Sequence, residues 1–329
     1  MSKQQIPIGF EIEEQATRTQ IKASIQIEGL SGTSKTGTAL IFAYALAKAD
    51  LPEDATEEQI WLHVGMGDTE KRSANLYVND PITLTNGEIL HVKPFRKANL
   101  TDFKPQTYEA ARDYLIKTYG IKAMIFDSYT HAWVGEPGGV LSLVSEVNAK
   151  LGYNARDARV WNEPIVANNK KLLVDLMRND QVHMITTIRV KEAIEMSKDE
   201  QGKTKVISAG LQQIMQDSIK YEPDLGIHMV SPGQFQVYKS RYSIFKVGET
   251  YEVSFALADE LAQFLKKGVD PSTLLEQRRQ DYIKQIRKIA KDNASLRTLL
   301  KTLHPNKKTT DFTLDEAKEV LKTFGEVLM

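Results

Sequence analysis

Residues 25–47 read IQIEGLSGTSKTGTALIFAYALA, and their reading decides the fold. Ile25, Ile27 and Leu30 suit a short buried strand. Gly29, Gly32 and Ser34 break it into a small-residue turn. Lys35 and Thr36 then open an apolar run, Thr38 to Ala47, of helical composition. Strand, small-residue loop, Lys-Thr, helix is the layout of a phosphate-binding loop. In that layout Gly29, Leu30, Ser31, Gly32, Thr33, Ser34, Lys35, Thr36 and Gly37 wrap backbone N–H groups round the phosphates of ATP. The helix N-terminus adds unpaired donors and partial positive charge. Lys35 reaches the β- and γ-phosphates, and the Thr36 hydroxyl ligates Mg2+. The usual pattern is G-x-x-x-x-G-K-[ST], and Ser34 stands where its second glycine would be. A positive φ costs serine more than glycine. The alternative is a Gly/Ser-rich turn before an ordinary core helix.

The chain around this stretch has 329 residues, enough for one large α/β domain with an appendage, or for two domains. At 41% hydrophobic and 26% charged it has the composition of a globular protein. Lys plus Arg and Asp plus Glu both number 43, which argues against a globally basic nucleic-acid protein but leaves room for local basic loops. Without cysteine there is no disulfide, no thiolate metal site and no cysteine nucleophile. Six scattered histidines do not suggest a zinc site. The N-terminus lacks an apolar leader and no stretch approaches the length of a membrane span, so the expectation is a cytoplasmic protein without a membrane partner.

Four further signals follow in chain order. GDTEKRS (67–73) ends a strand with Asp68 and Glu70, and a glutamate at a sheet edge can orient or deprotonate an attacking water; the alternative is a solvated acidic turn. IKAMIFDS (121–128) runs four apolar residues into Asp127. A carboxylate at the C-terminal edge of a parallel sheet, beside the phosphate loop, is placed to serve Mg2+; the alternative is a strand-terminating cap. MITTIRVK (184–191) ends in Thr187, Arg189 and Lys191, suited to sensing a γ-phosphate or simply solvated. VYKSRYSIF (237–245) alternates Lys239 and Arg241 on one strand face, two cations able to reach a phosphate in the same subunit or across an interface; a charged edge strand is the other reading. Strands alternating with helices to about residue 190 predict an α/β fold with a mainly parallel sheet covered on both faces. Residues 195–218 read as a long loop, and the segments after them as late strands. From Leu257 onward the pattern is helical, at 257–267, 272–292, 294–303 and 313–328. The expected division is an N-terminal arm over 1–24, a core over 25–256 and a C-terminal helical region over 257–329.

The order GLSGTSKT, GDTEKRS, IKAMIFDS, HMITTIR, VYKSRY resembles RecA-like P-loop ATPases, and more narrowly the phage-encoded kind that binds and anneals single-stranded DNA. The resemblance covers about residues 20–256. It implies a RecA-like core, ATP and Mg2+ as cofactors, and ATP hydrolysis, which Ser34 in place of a loop glycine would slow. Glu70 becomes the catalytic base, Thr187 the sensor with Arg189 beyond it, and Lys239 and Arg241 cations that act in trans. Two loops near the protomer axis, about 134–160 and 193–215, become DNA contacts, the second through Lys198, Lys203 and Lys205. The implied partners are single-stranded DNA, further copies of the chain in a ring or filament, and a single-strand-binding protein in the host cytoplasm. The expected function is ATP-dependent annealing or strand exchange in phage recombination or replication. The alternatives are a ring-forming helicase or loader and a nucleotide-regulated scaffold without significant hydrolysis.

Overall fold

The computed structural model describes residues 16–152, 157–198 and 204–328. The chain divides into two units, one over Ile21–Leu265 and the other joining residues up to Gln20 with those from Lys266 onward.

The larger unit is an α/β fold with a mainly parallel sheet. Six strands run parallel: β1 (Ser24–Gly29), β2 (Val64–Asp68), β5 (Arg96–Asn99), β6 (Ala123–Asp127), β7 (His183–Lys198) and β9 (Leu225–Ser231). The antiparallel strands β10 (Gln234–Ser240) and β11 (Thr250–Glu252) complete one edge. The spatial order is β11-β10-β9-β1-β7-β6-β2-β5. A separate hairpin pairs β3 (Pro81–Thr83) with β4 (Ile89–His91).

Alternation along the central strands feeds two apolar layers. Ile25, Ile27, Ile125 and Ile185 face one layer, which holds the buried faces of α1 (Lys35–Ala49), α2 (Glu57–Leu62) and α7 (Phe255–Leu265). Met124, Phe126 and Met184 face the other, with α3 (Pro105–Tyr119) and α6 (Pro164–Met177). Helix α1 is apolar all round because it is buried all round, from Thr38 to Ala47 with only Tyr44 half-exposed. Two shorter helices, α4 (His131–Val134) and α5 (Val140–Leu151), lie between β6 and α6 in the chain. The segment expected as the first DNA loop, 134–160, thus begins at the end of α4 and contains α5.

Two expectations change. Helix α7 reads from sequence as the start of the C-terminal helical region, but Ala258, Leu261, Ala262 and Leu265 are buried in the same layer as α1. The loop expected over 195–218 is largely a β-hairpin: β7 continues to Lys198 and pairs antiparallel with β8 (Thr204–Gln213). These two segments mix polar and apolar residues and lack the apolar run of the central strands, so their composition reads as a loop.

The smaller unit is built on α8 (Pro271–Asp292), α9 (Ala294–Leu303) and α10 (Leu314–Leu328). Ile286, Ala290, Leu296, Phe312, Val320 and Phe324 form its core. Asp270 caps α8 by accepting from the Ser272 N–H (2.7 Å), and Asn293 caps α9 from Leu296 (3.1 Å). Thr313 and Glu316 form a reciprocal capping pair at the start of α10.

Candidate nucleotide site

The parallel strands deliver their C-terminal residues to one edge in register. Gly29 of β1 lies beside Arg189 of β7, Phe126 of β6 beside Thr186, and Asp127 beside Asp68 of β2. The turn between β1 and α1 rises from this edge. Gly29 has no room for a side chain, since a Cβ would sit 2.7 Å from Thr33 Oγ1 and 3.0 Å from Met229 Cβ. Gly32 has φ of +82°. Ser34 also sits in the left-handed region (φ 62°, ψ 30°), the conformation that the usual glycine supplies freely, and its side chain makes no capping bond. The loop geometry is therefore reached with serine, at the cost of about 1–2 kcal/mol that a left-handed L-residue carries.

Lys35 folds over the turn, donating to the carbonyls of Gly29 (3.0 Å) and Leu30 (2.7 Å). Partial burial lowers its pKa, against the attraction of Asp127 and Glu70. The Thr36 hydroxyl donates to Asp127 Oδ2 at 2.6 Å, and Thr187 donates to Oδ1 of the same carboxylate. Burial pushes the Asp127 carboxyl up; the two threonine bonds oppose that shift, while Glu70 and Asp68 add to it. Thr187 is fully buried, so it acts on Asp127 rather than facing open space.

Glu70 stands on a strained turn. Lys71 and Arg72, which follow it, both have positive φ (52° and 66°). Asp68 holds this turn from beneath. It is 2% exposed, and it accepts from the Glu70 N–H (2.8 Å), from the Ala74 N–H (3.4 Å) and from Lys97 Nζ (3.2 Å). The Glu70 carboxylate is gripped by Arg189, with contacts of 2.6 and 3.2 Å to Oε1. Thr69 ties the same turn to β6: its hydroxyl accepts from Ser128 N–H at 2.7 Å and lies 2.6 Å from His131 Nδ1. Burial, then Arg189, lowers the His131 pKa.

A cleft of about 450 Å³ opens beside Thr36 and Glu70, walled by Leu76, Tyr77, Pro81 and Ile82. Burial, then the nearby Asp127, raises the Tyr77 pKa. Further back, Glu28, one residue before Gly29, accepts from His228 Nδ1 (3.0 Å) and from Gln213, the last residue of β8. The hairpin arm is thereby tied to β1, the strand that leads into the Gly29–Gly37 turn.

Lys239 and Arg241 are elsewhere. Because β10 runs antiparallel to β9, Ser240 lies level with Leu225 and hence with Ile25, the start of β1. Four residues of strand, about 13 Å, separate that level from Gly29. Lys239 donates to the Tyr221 carbonyl, and Arg241 pairs with Asp224 at 2.8 Å. Burial, then Arg241, lowers the Lys239 pKa. A cavity of about 570 Å³ lies at this opposite edge, lined by Lys22, Ser24, Arg178, Tyr221, Asp224 and Arg241. The pair therefore lies away from the turn between β1 and α1 of its own chain. Lys203 and the side chains of Lys198 and Lys205 lie outside the described residues.

Sequence reading brings Lys35, Thr36, Glu70, Asp127, Thr187 and Arg189 to one edge, and the structure gathers all six there. It misses Asp68 as the support of the Glu70 turn, and it misses Thr69, Lys97, His131 and Tyr77. Among these only the Asp68-to-Glu70 spacing carries a local signal.

No protein-family model matches the chain, and no curated protein matches it. Among solved structures it is similar to a KaiC-like protein from the hyperthermophilic archaeon Pyrococcus horikoshii OT3, with 13% identity and a TM-score of 0.35 over 70% of this chain and 85% of that one. Among the described residues no helix is long and apolar enough to cross a membrane. Nor do they contain a cluster of three or more His, Asp or Glu that could hold a metal ion.

Proposed function

We propose that the chain is a RecA-like, Mg2+-dependent ATPase that binds single-stranded DNA and promotes annealing or strand exchange in phage recombination or replication. The observation that carries this reading is the Asp127 carboxylate, held between the hydroxyls of Thr36 and Thr187 at the mouth of the loop. Magnesium takes few protein ligands and shares nucleotide phosphates, so a threonine hydroxyl backed by one carboxylate is a fitting donor set. Bound there, the ion would neutralise charge on the β- and γ-phosphates.

The residues of this chain would do the rest by position. Lys35 leaves the Gly29 and Leu30 carbonyls for the phosphates. Glu70, released from Arg189, orients the attacking water. The apolar walls of the cleft beside Thr36 accommodate the base. Glu28 and Gln213 link the loop strand to the hairpin arm, which supports a route from nucleotide state to a DNA contact there. Lys239 and Arg241, at the far edge, fit action on the nucleotide of a second copy in a head-to-tail assembly, a contact that builds a ring or a filament.

A nucleotide-regulated scaffold is the second reading, favoured by the Arg189 grip on Glu70. ATP turnover with and without single-stranded DNA, and annealing of complementary oligonucleotides, separate the two for the native chain, Lys35→Ala and Glu70→Gln. The ATPase reading expects DNA-stimulated turnover lost in both variants. Zero native turnover with assembly abolished by Lys35→Ala selects the scaffold, and unwinding without annealing selects a motor.

A further inference from the structure

The neutral total charge conceals a division. Residues 266–329 carry 14 Lys and Arg against 9 Asp and Glu, a net charge of +5, so the rest of a chain with 43 of each carries −5. Charge asymmetry of this kind points to a polyanionic partner for the basic part.

Two sets stand out among the basic residues of the smaller unit. Arg279 is engaged by Glu276 and by the carbonyls of Thr310 and Phe312; Arg297 caps the end of α8 through the carbonyls of Ala290 and Lys291; Lys307 pairs with Glu316. These hold the unit together. The second set is Lys284, Arg287, Lys288 and Lys291, all exposed on α8. At about 100° per residue these four fall within an arc of about 100°, centred about 120° round the helix from the buried Ile283, Ile286 and Ala290. Lys288 and Lys291 have no ion-pair partner among the described residues. Lys284 meets Asp281 at 3.3 Å with both side chains largely exposed, and Arg287 uses only Nε, on Thr309.

We infer that this stripe on α8 is a docking surface for the phosphate backbone of a DNA duplex. From Lys284 to Lys291 the row spans about 10 Å of helix, the length of about three phosphates on one strand. Four cations in a rigid row match a rigid row of charge. The stripe bears no aromatic side chain, and single-strand binding draws on aromatic platforms for the bases. The nearby Tyr282 is partly buried against the unit's own core. The surface thus reads backbone rather than bases. The inference does not depend on the nucleotide site.

The test uses the full chain and a fluorescent duplex of about 25 base pairs, with anisotropy measured from 50 to 200 mM salt. Replacing Lys284, Lys288 and Lys291 by Gln together should flatten the log–log salt slope by about 2.7, so that affinity changes about forty-fold less across that range. The same three positions replaced by Arg should keep the native slope. Both variants should unfold at the native temperature and bind nucleotide normally. An unchanged slope in the folded Gln variant overturns the inference. So does an equal or larger loss of slope on a single strand of equal length, or a stripe that alters only self-association. Lys35→Ala serves as the converse control: if it loses nucleotide and keeps this slope, the two sites fail or stand separately.

Discussion

Ser34→Gly isolates the one departure of the phosphate loop from its usual pattern. The left-handed conformation at Ser34 costs a residue with a Cβ about 1–2 kcal/mol, which glycine does not incur. Glycine in turn loses more backbone entropy on folding, about 0.5–1 kcal/mol. The serine side chain makes no capping bond, so its removal forfeits none. The balance is a stabilisation of about 0.5–1 kcal/mol, which in a unit of this size raises Tm by roughly 1–4 °C. Urea denaturation of the full chain, monitored on the transition of the larger unit, should show a higher midpoint at unchanged slope. Ser34→Ala keeps the conformational cost and should lie within about 0.5 kcal/mol of native. A glycine variant less stable than native, or an alanine variant weakened by more than about 1 kcal/mol, refutes this reasoning. Either result would mean that the serine hydroxyl holds the loop.

Two other perturbations test the frame around the loop. Thr187→Val keeps the volume and removes one of the two hydroxyls that bind Asp127, and losing a hydrogen bond to a buried carboxylate should cost about 1.5–3 kcal/mol in chemical denaturation. A loss below about 0.5 kcal/mol would show that Asp127 does not depend on it. Asp50, at the far end of α1, binds both Lys22 and His183, whose Nδ1 accepts from the Ala23 N–H. Although burial opposes ionisation, these two partners hold its carboxyl far below the ordinary range. For an acid depressed in the folded state the stabilisation is full above the unfolded value of about 4 and fades as pH falls below it. Asp50→Asn should therefore cost about 2 kcal/mol at pH 7 and progressively less toward pH 2, measured by urea denaturation at each pH. A penalty independent of pH would contradict the assignment.

What sequence reading could see follows from range and direction. The turn after β1 and the placing of Asp127 at a strand end are legible because each is a local pattern: apolar strand, then small or acidic residue at the exit. The two-layer sheet follows from alternating strands and helices. The grip of Arg189 on Glu70 joins residues 119 apart, and no local spacing encodes it. Lys239 lies on β10 as expected and Arg241 just past its last residue, Ser240, but strand composition is blind to direction. The reversal at β10 sends them to the edge opposite the loop. The hairpin segments, EAIEMSK (192–198) and TKVISAGLQQ (204–213), mix polar and apolar residues without the apolar run that marks the central strands. Helix α7 is assigned to the C-terminal region by its helical pattern alone, and only packing reveals that it completes the layer over α1.

The central claim is that residues 29–37 hold nucleotide phosphates through Lys35 and the Thr36–Asp127 pair. Equilibrium titration of a fluorescent ATP analogue, with and without Mg2+, into the native chain and Lys35→Ala measures this directly. Removing the lysine should weaken binding at least tenfold, about 1.4 kcal/mol, and the native affinity should fall when Mg2+ is withdrawn. Equal affinity in both proteins, unaffected by Mg2+, would contradict the account.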